Sequence, residues 1–199
     1  MPPRTLLDLA GVTPTPARLA NATVVVIDAQ REYVDGLLPL AGVEPALDEI
    51  GRLLARARAA NVPVIHIVHQ GREGGPFAPG SRGAEIAFPG DPAPNEAVLT
   101  KRLPNAFAST DLAARVAALK RPDLVLVGFM THMCVEATAR SAIDNGLKAT
   151  VVASATATRD LPDPLTGSVV PAAEVQRNAL AALNDRFATV VGMVDDLRD

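Results

Sequence analysis

Short, unbroken apolar runs alternate along this chain with longer stretches in which apolar residues recur at every third or fourth position. The first pattern is typical of strands buried on both faces, and the second of amphipathic helices. The apolar runs predict strands at 23–27, 63–68, 98–102, 124–127, 149–153 and 187–191. The helical spacing predicts helices at 45–60, at 108–119 with Ser109 as the N-cap, from Cys134 to Gly146, and at 171–184.

This regular alternation of strand and helix implies a parallel sheet with helices on both faces. We therefore expect an α/β fold, a three-layer α/β/α sandwich around a mainly parallel, open sheet of about six strands. No linker, repeat or low-complexity tract divides the chain, so one domain over 1–199 is expected. Residues 1–20 hold four prolines and little periodicity, which predicts an N-terminal arm on the surface.

The segment 70–97 stands out because it contains five prolines and six glycines. Loops of this length inside a compact domain are usually functional or disordered. The segment follows a predicted strand and carries the large side chains of Arg72, Phe77, Arg82 and Phe88. These features favour a lid that covers a binding site. The alternative is a loop that extends over the surface into solvent.

Composition narrows the class of protein. Of 199 residues, 48% are hydrophobic, 21% are charged and only 3% are aromatic, and the net charge is −3, so nothing indicates a nucleic-acid partner. No apolar run approaches the ~20 residues of a membrane span, and the N-terminus lacks the apolar core of a signal peptide. A single cysteine fits a reducing compartment, and we expect a cytoplasmic protein without a membrane partner.

Three reactive side chains stand at or near the carboxyl ends of separate predicted strands: Asp28, Lys101 and Cys134. In open parallel sheets, ligands bind at this edge. Cys134 lies where a strand turns into a helix, and the first helical turn stabilises a thiolate, so the sequence predicts a nucleophile there. The alternatives are an inert buried cysteine and a purely structural Asp28–Lys101 pair.

A thiol nucleophile needs a base and a donor for the developing oxyanion. Asp28 can serve as the base, and Lys101 can keep Asp28 ionised and stabilise the thiolate. Backbone N–H groups of the turn before Cys134 can form the oxyanion hole. The spacing of these residues is compatible with a hydrolytic site but does not distinguish it from the structural alternatives. The sequence motifs around the three residues are more specific.

Three motifs in order resemble the signatures of the isochorismatase-like cysteine hydrolases, a family that includes nicotinamidases and N-carbamoylsarcosine amidohydrolase. They are I-D-A-Q (27–30), K-R-L-P-N-A-F (101–107) and G-F-M-T-H-M-C-V-E-A-T-A-R-S-A (128–142). The resemblance implies a catalytic triad of Asp28, Lys101 and Cys134. It also implies a cis peptide bond between Phe129 and Met130, with the N–H groups of Met130 and Cys134 as oxyanion donors.

Two departures from relatives in that family narrow the function. Isochorismatases proper lack the nucleophilic cysteine, so Cys134 speaks against vinyl-ether hydrolysis. Nicotinamidases carry an Asp-x-His and a further His after the second strand, whereas this region of the chain reads H-I-V-H-Q-G-R-E and has no Asp-x-His. Its two histidines, His66 and His69, are three apart and therefore on opposite faces of a strand. We expect no metal and no other cofactor.

Five further residues are candidates for binding substrate, each with a structural alternative. Gln30 could bind a substrate amide, help to orient Lys101 or stabilise a loop. His132 could touch substrate or bond to backbone, and Arg159 could bind a substrate carboxylate or make a surface salt bridge. The two remaining candidates are Tyr33 and Phe107. Each could form an apolar wall of the substrate pocket or belong to the hydrophobic core.

Together these features predict a hydrolase that cleaves an amide or carbamoyl C–N bond of a small molecule through a thioester on Cys134. The alternatives are a metal-assisted nicotinamidase-type amidase and a non-catalytic, redox-sensing domain. The hydropathy and the resemblance predict a homodimer or homotetramer, with Phe77 or Phe88 near the subunit boundary.

Overall fold

The computed structural model describes residues 2–199, and its centre is a sheet of six parallel strands. These strands are β1 (Ala22–Ile27), β2 (Val64–His69), β3 (Ala97–Lys101), β4 (Asp123–Phe129), β5 (Lys148–Ala157) and β8 (Ala188–Val191). A separate antiparallel pair is formed by β6 (Leu161–Pro162) and β7 (Val169–Val170). The helices are α1 (Leu6–Leu9), α2 (Val43–Ala59), α3 (Leu112–Leu119), α4 (Glu136–Asp144) and α5 (Ala172–Arg186).

The strand order in the sheet is β3-β2-β1-β4-β5-β8. The chain therefore builds outward from β1 to one edge, returns to β4 beside β1, and builds outward to the other edge. At such a reversal the loops after the two central strands diverge and leave a crevice at their carboxyl ends. In this chain the crevice lies after β1 and β4, the strands that precede Asp28 and Cys134.

Alternate side chains of the central strands supply two cores, one on each face of the sheet. Val24 and Val26 of β1 pack with the buried face of α2, whereas Val25 and Ile27 pack with residues of α3, α4 and α5. The expected three-layer α/β/α fold with a parallel six-stranded sheet is confirmed. None of the helices described in 2–199 is long and apolar enough to cross a membrane.

Two predicted boundaries are wrong. Helix α3 begins at Leu112 rather than at residue 108, and Ser109 does not cap it. The hydroxyl of Thr110 instead accepts from the N–H of Leu112 and donates to the carbonyl of Ala106, which holds the preceding residues in a turn. Strand β5 continues four residues beyond the predicted end at residue 153, to Ala157.

The pairing of β4 with β5 is irregular. Leu126 is opposite Val151, but Gly128 is opposite Thr156, so β5 advances five residues while β4 advances two. Such a bulge bends a strand and re-aims the residues that follow it. It brings Ala157 beside Phe129, and the following residues of the chain leave the sheet at the carboxyl end of β4.

The segment 70–97 folds back against the residues that follow β1. Its backbone is tied to Ala29 through a hydrogen bond of 2.8 Å from the N–H of Ala87, and the N–H of Arg31 donates to Glu85 at 2.9 Å. Phe77 is buried, whereas Phe88 is 81% exposed. The segment therefore covers the Asp28 side of the crevice instead of extending into solvent.

Candidate active site

Asp28, Lys101 and Cys134 meet at the carboxyl edge of the sheet. Asp28 follows β1 with a positive φ of 49°, Lys101 ends β3, and Cys134 lies in a π-helical turn, Thr131–Val135, between β4 and α4. Lys101 Nζ is 2.7 Å from Asp28 Oδ2 and 3.2 Å from Cys134 Sγ. The side chains of Asp28 and Lys101 have no exposed surface, so they form a desolvated ion pair in contact with a thiol.

Lys101 has a third partner that the sequence did not indicate. Its Nζ lies 3.2 Å from Nδ1 of His69, the last residue of β2. An ammonium group carries three N–H donors and no acceptor. Lys101 therefore forms an ion pair with Asp28 and lies within hydrogen-bond distance of both Cys134 Sγ and His69 Nδ1.

The protonation state of Cys134 in the structure differs from the thiolate that the sequence predicts. Burial raises the pKa of the Cys134 thiol to about 12, the charge of Asp28 adds to the rise, and Lys101 opposes it. Burial also raises the pKa of the Asp28 carboxyl to about 6, against the attraction of Lys101. At neutral pH the site therefore combines a neutral thiol with an ionised carboxylate, because the positive end of a helical turn does not offset burial beside a negative charge.

The turn that precedes Cys134 approaches the neighbouring strand very closely. Gly128 has a φ of +112°, and a Cβ there would lie 1.9 Å from the carbonyl oxygen of Ile27, so only glycine fits. The Phe129–Met130 peptide bond is cis, as the resemblance implies. The N–H of Val135 donates to the carbonyl of Met130 at 3.2 Å and closes the π-helical turn.

Gln30 is a clamp between two segments of backbone. Its Nε2 donates to the carbonyls of His69 at 3.0 Å and Ala84 at 2.9 Å, while its Oε1 accepts from the N–H of His69 at 2.7 Å. Among the roles that the sequence leaves open for Gln30, these bonds correspond to the loop-stabilising one. Because they occupy both amide hydrogens, the Gln30 amide nitrogen supports His69 and Ala84.

Tyr33 and Phe77 form an aromatic wall beside the reactive groups. Their rings meet edge-on with centroids 5.1 Å apart, and Tyr33 also meets Phe129 at 5.8 Å. Burial raises the pKa of the Tyr33 hydroxyl, and the negative charge of Asp28 adds to the rise. Tyr33 therefore borders the site, as the sequence allows.

The remaining candidates lie around the π-helical turn. His132 Nδ1 is hydrogen-bonded to the hydroxyl of Thr158, and its pKa is lowered by burial and by the charge of Arg159. Arg159 forms no salt bridge with any residue of 2–199, and its buried Nε has no hydrogen-bond partner there. Phe107 is half-buried and packs against the core cluster that contains Cys134.

His69 is the site residue that sequence reasoning missed, and strand register is the signal that could have found it. His69 pairs with Lys101 in the parallel β2–β3 ladder, and paired residues of neighbouring strands share a face. His66 lies on the opposite face, where Nε2 is 2.8 Å from Glu96. In residues 2–199 no group of three or more His, Cys, Asp or Glu side chains is placed to hold a metal ion.

Comparison with known proteins identifies the family of this chain. Residues 22–195 match the model of the isochorismatase domain. The chain belongs to the isochorismatase family. A family member from Verticillium dahliae, described as a secreted isochorismatase effector, is 38% identical over 188 residues, which cover 94% of this chain and 96% of that protein. A streptothricin hydrolase from Streptomyces noursei is 36% identical over 168 residues, which cover 84% of this chain and 61% of that protein.

Solved structures of the isochorismatase family share the fold. An isochorismatase from Pseudomonas putida KT2440 superposes with a TM-score of 0.92 at 39% identity, covering 96% of this chain and 97% of that one. The N-carbamoylsarcosine amidase from Thermoplasma acidophilum superposes with a TM-score of 0.73 at 23% identity, covering 86% and 96% of the two chains. The resemblance found in the three motifs is therefore confirmed.

Proposed function

We propose that this protein hydrolyses an amide or carbamoyl C–N bond of a small molecule, with Cys134 as nucleophile, Asp28 as general base and acid, and Lys101 as the group that orders both. The observation that carries the proposal is the contact of one buried ammonium with a carboxylate at 2.7 Å and a thiol at 3.2 Å. Relatives named streptothricin hydrolase and ureidoacrylate amidohydrolase support amide hydrolysis as the reaction class.

The first half of the reaction forms a thioester. As Sγ of Cys134 attacks the scissile carbonyl carbon, its proton passes to the Asp28 carboxylate. This coupling suits a site in which the thiol is neutral at rest and the carboxylate is ionised. The N–H groups of Met130 and Cys134 stabilise the oxyanion, and Asp28 then gives its proton to the leaving nitrogen as the C–N bond breaks.

The second half of the reaction releases the acid. Water takes the place of the departed amine, Asp28 removes one of its protons, and the hydroxide adds to the thioester carbonyl. The second tetrahedral intermediate collapses by expelling the Cys134 sulfur, which recovers the proton from Asp28. Lys101 stays protonated throughout, and its N–H groups hold the carboxylate and the sulfur in place.

Arg159 supports a substrate that carries a carboxylate. Its guanidinium has no acidic partner in residues 2–199, and it is close enough to lower the pKa of His132. Its Nη1 donates to the carbonyl of Asp160 at 3.3 Å, and a guanidinium without a carboxylate partner suits bidentate binding of a substrate carboxylate. Acyl or carbamoyl derivatives of amino acids are therefore the compounds to assay first.

Intact mass spectrometry after incubation with a library of small amides tests the proposal. An acyl adduct on Cys134 that decays with turnover is the expected result, and its mass identifies the acyl group. The Cys134→Ala and Cys134→Ser variants should retain the circular dichroism of the wild type and lose nearly all turnover. Substantial amidase activity in either variant would remove Cys134 from the mechanism.

Two controls separate the alternative functions. Activity that disappears on dialysis against a chelator and returns with zinc or iron would favour a metal-assisted, nicotinamidase-type reaction. The name of the Verticillium relative makes isochorismate a necessary member of the panel. Hydrolysis of isochorismate that survives Cys134→Ala would favour vinyl-ether chemistry, while reversible oxidation of Cys134 without any turnover would favour a redox sensor.

A further inference from the structure

His69 is placed to do more than fill the space beside Lys101. Its Nδ1 faces the Lys101 ammonium at 3.2 Å, and its ring meets Phe77 edge-on with centroids 5.2 Å apart. Its backbone N–H and carbonyl are both held by Gln30. Ring and backbone are therefore fixed from three sides, which is more support than an incidental surface histidine receives.

The contact with Lys101 determines which ring nitrogen carries the proton. An ammonium can only donate, so Nδ1 must present its lone pair, and a neutral imidazole then bears its hydrogen on Nε2. The same neighbour opposes a second proton on the ring: burial and the charge of Lys101 lower the pKa of His69 to about 4. Near neutral pH the Nε2–H group is therefore a permanent hydrogen-bond donor.

No residue of 2–199 accepts a hydrogen bond from Nε2, and this atom is not among the enclosed polar atoms because the residue is only half-buried. We infer that His69 is a specificity-determining residue whose Nε2–H donates to an acceptor oxygen of the substrate, next to the scissile carbonyl. This inference rests on the proposed function in placing the substrate against Cys134 and in taking Asp28 as the group that protonates the leaving nitrogen.

The three groups around Lys101 Nζ indicate which part of the substrate His69 meets. Asp28, which lies 2.7 Å from Nζ, protonates the leaving nitrogen, so the leaving group faces that side. Cys134 and His69 each lie 3.2 Å from Nζ. His69 therefore faces the substituent that stays on the carbonyl, and the acceptor is an oxygen on the acyl carbon beside it.

Two variants separate the donor from the support that His69 gives to Lys101. In His69→Asn the side-chain oxygen can replace Nδ1 as the acceptor for Lys101, but nothing replaces the donor at Nε2. In His69→Gln the longer amide can donate near the position of Nε2 and loses the fixed acceptor at Nδ1. Gln70→Ala is the matched control, because Gln70 is adjacent in the chain and, among residues 2–199, its Oε1 bonds only to Arg102.

The probes are methoxyacetamide and butyramide, which differ in one ether oxygen at the predicted acceptor position. Each amide competes with iodoacetamide for Cys134. The rate of alkylation at increasing amide concentration gives a protection constant, the apparent affinity of the site for that amide, and this measurement requires no turnover. The ratio of the two constants should fall about fivefold in His69→Asn, the effect of one neutral hydrogen bond. His69→Gln should recover part of the ratio, and Gln70→Ala should leave it within twofold.

An unchanged ratio in His69→Asn would overturn the inference, including the case in which neither amide protects Cys134. Nitrogen-15 NMR of the histidine rings gives an independent check, since the His69 signals vanish in His69→Asn and are thereby assigned. The Nε2–H tautomer should persist from pH 6 to 8. An Nδ1–H tautomer or an imidazolium in that range would also overturn it, whereas retained amidase activity in Cys134→Ala would overturn only the proposed function.

Discussion

Asp28 Oδ2 lies 2.7 Å from Lys101 Nζ, and neither side chain has any surface exposed to solvent. A buried ion pair of this kind adds little net stability, because desolvation of both charges offsets their attraction. It does fix the protonation state and direction of the groups around it. The pair therefore serves the reactivity of Cys134 more than the stability of the fold, and this leads to measurable expectations.

The first prediction concerns Lys101→Met. Loss of the ammonium leaves the Asp28 carboxylate buried without a counter-charge, so the variant should lose about 3–5 kcal/mol of unfolding free energy at pH 8. Because burial already raises the folded-state pKa of Asp28 to about 6, the carboxyl of the variant stays protonated to still higher pH. Its stability should fall as pH rises, and urea titrations at pH 5 and pH 8 measure the difference.

A double variant controls for this prediction. Asp28→Asn with Lys101→Met removes both charges and should recover much of the stability at pH 8. A loss in Lys101→Met that is equal at pH 5 and pH 8 would mean that packing, rather than the unpaired carboxylate, dominates.

The pH dependence of catalysis should follow Asp28. The reaction needs the carboxylate form, and burial raises the pKa of Asp28 to about 6. The value of kcat/KM should therefore decrease tenfold per pH unit below that value and level off above it. A profile in which kcat/KM stays level down to about pH 4, the ordinary pKa of a carboxyl group, and decreases only below it would contradict the role of Asp28 as base.

Alkylation of Cys134 reports the resting state of the thiol. Since burial raises the pKa of the Cys134 thiol to about 12, its rate of reaction with iodoacetamide should continue to increase through pH 9 without a plateau. Free glutathione is the reference for intrinsic reactivity. A plateau below pH 8 would restore the preformed thiolate that the position of Cys134 suggests from sequence.

Gly128 and Gly42 form a matched pair for testing the close approach of β4 to β1. Both have a positive φ, of 112° and 72°, but a Cβ at Gly128 would meet Ile27 O at 1.9 Å, whereas a Cβ at Gly42 would meet nothing within 4 Å. Gly42→Ala should cost about 1 kcal/mol of unfolding free energy. Gly128→Ala should cost more than 4 kcal/mol or fail to fold, and a similar cost at both sites in thermal unfolding would contradict the backbone clash.

Assembly is the last prediction. Phe77 packs on Tyr33 and His69 within its own chain, so Phe88, which is 81% exposed, is the aromatic residue left for a neighbouring subunit. We expect a homodimer or homotetramer by light scattering, weakened by Phe88→Ala and not by Leu165→Ala at an exposed position of the β6–β7 hairpin. A stable mass near 20.7 kDa at micromolar concentration would contradict this expectation.

The sequence predicts the fold and the meeting of Asp28, Lys101 and Cys134 because both depend on the order of elements. Carboxyl ends of parallel strands lie at one edge whatever their exact boundaries are. The pKa of Cys134 is not predictable in this way, since it depends on the balance between burial and the nearest charges. The role of His69 depends on the register between β2 and β3, which apolar runs do not define.

The role of Gln30 and the end of β5 also depend on tertiary contacts that the sequence does not reveal. A glutamine after a strand can bond to substrate or to backbone, and only the positions of His69 and Ala84 decide between them. The sequence predicts an end of β5 at residue 153 because Ser154 and Thr156 are residue types that are common in loops. In the sheet the hydroxyl of Thr156 bonds to the carbonyl of Ala153 and to the amide of Gln176, which makes a polar residue acceptable there.

The excess length of β5 between Val151 and Thr156 determines where Thr158 and Arg159 leave the sheet. Deleting one residue of 152–155 would draw both back by roughly 3.3 Å and turn each side chain to the opposite face of the strand. Asp28, Lys101 and Cys134 belong to other segments and would keep their places. Insertions and deletions at this point are therefore a route by which relatives could diverge in the molecules they accept while preserving one chemistry.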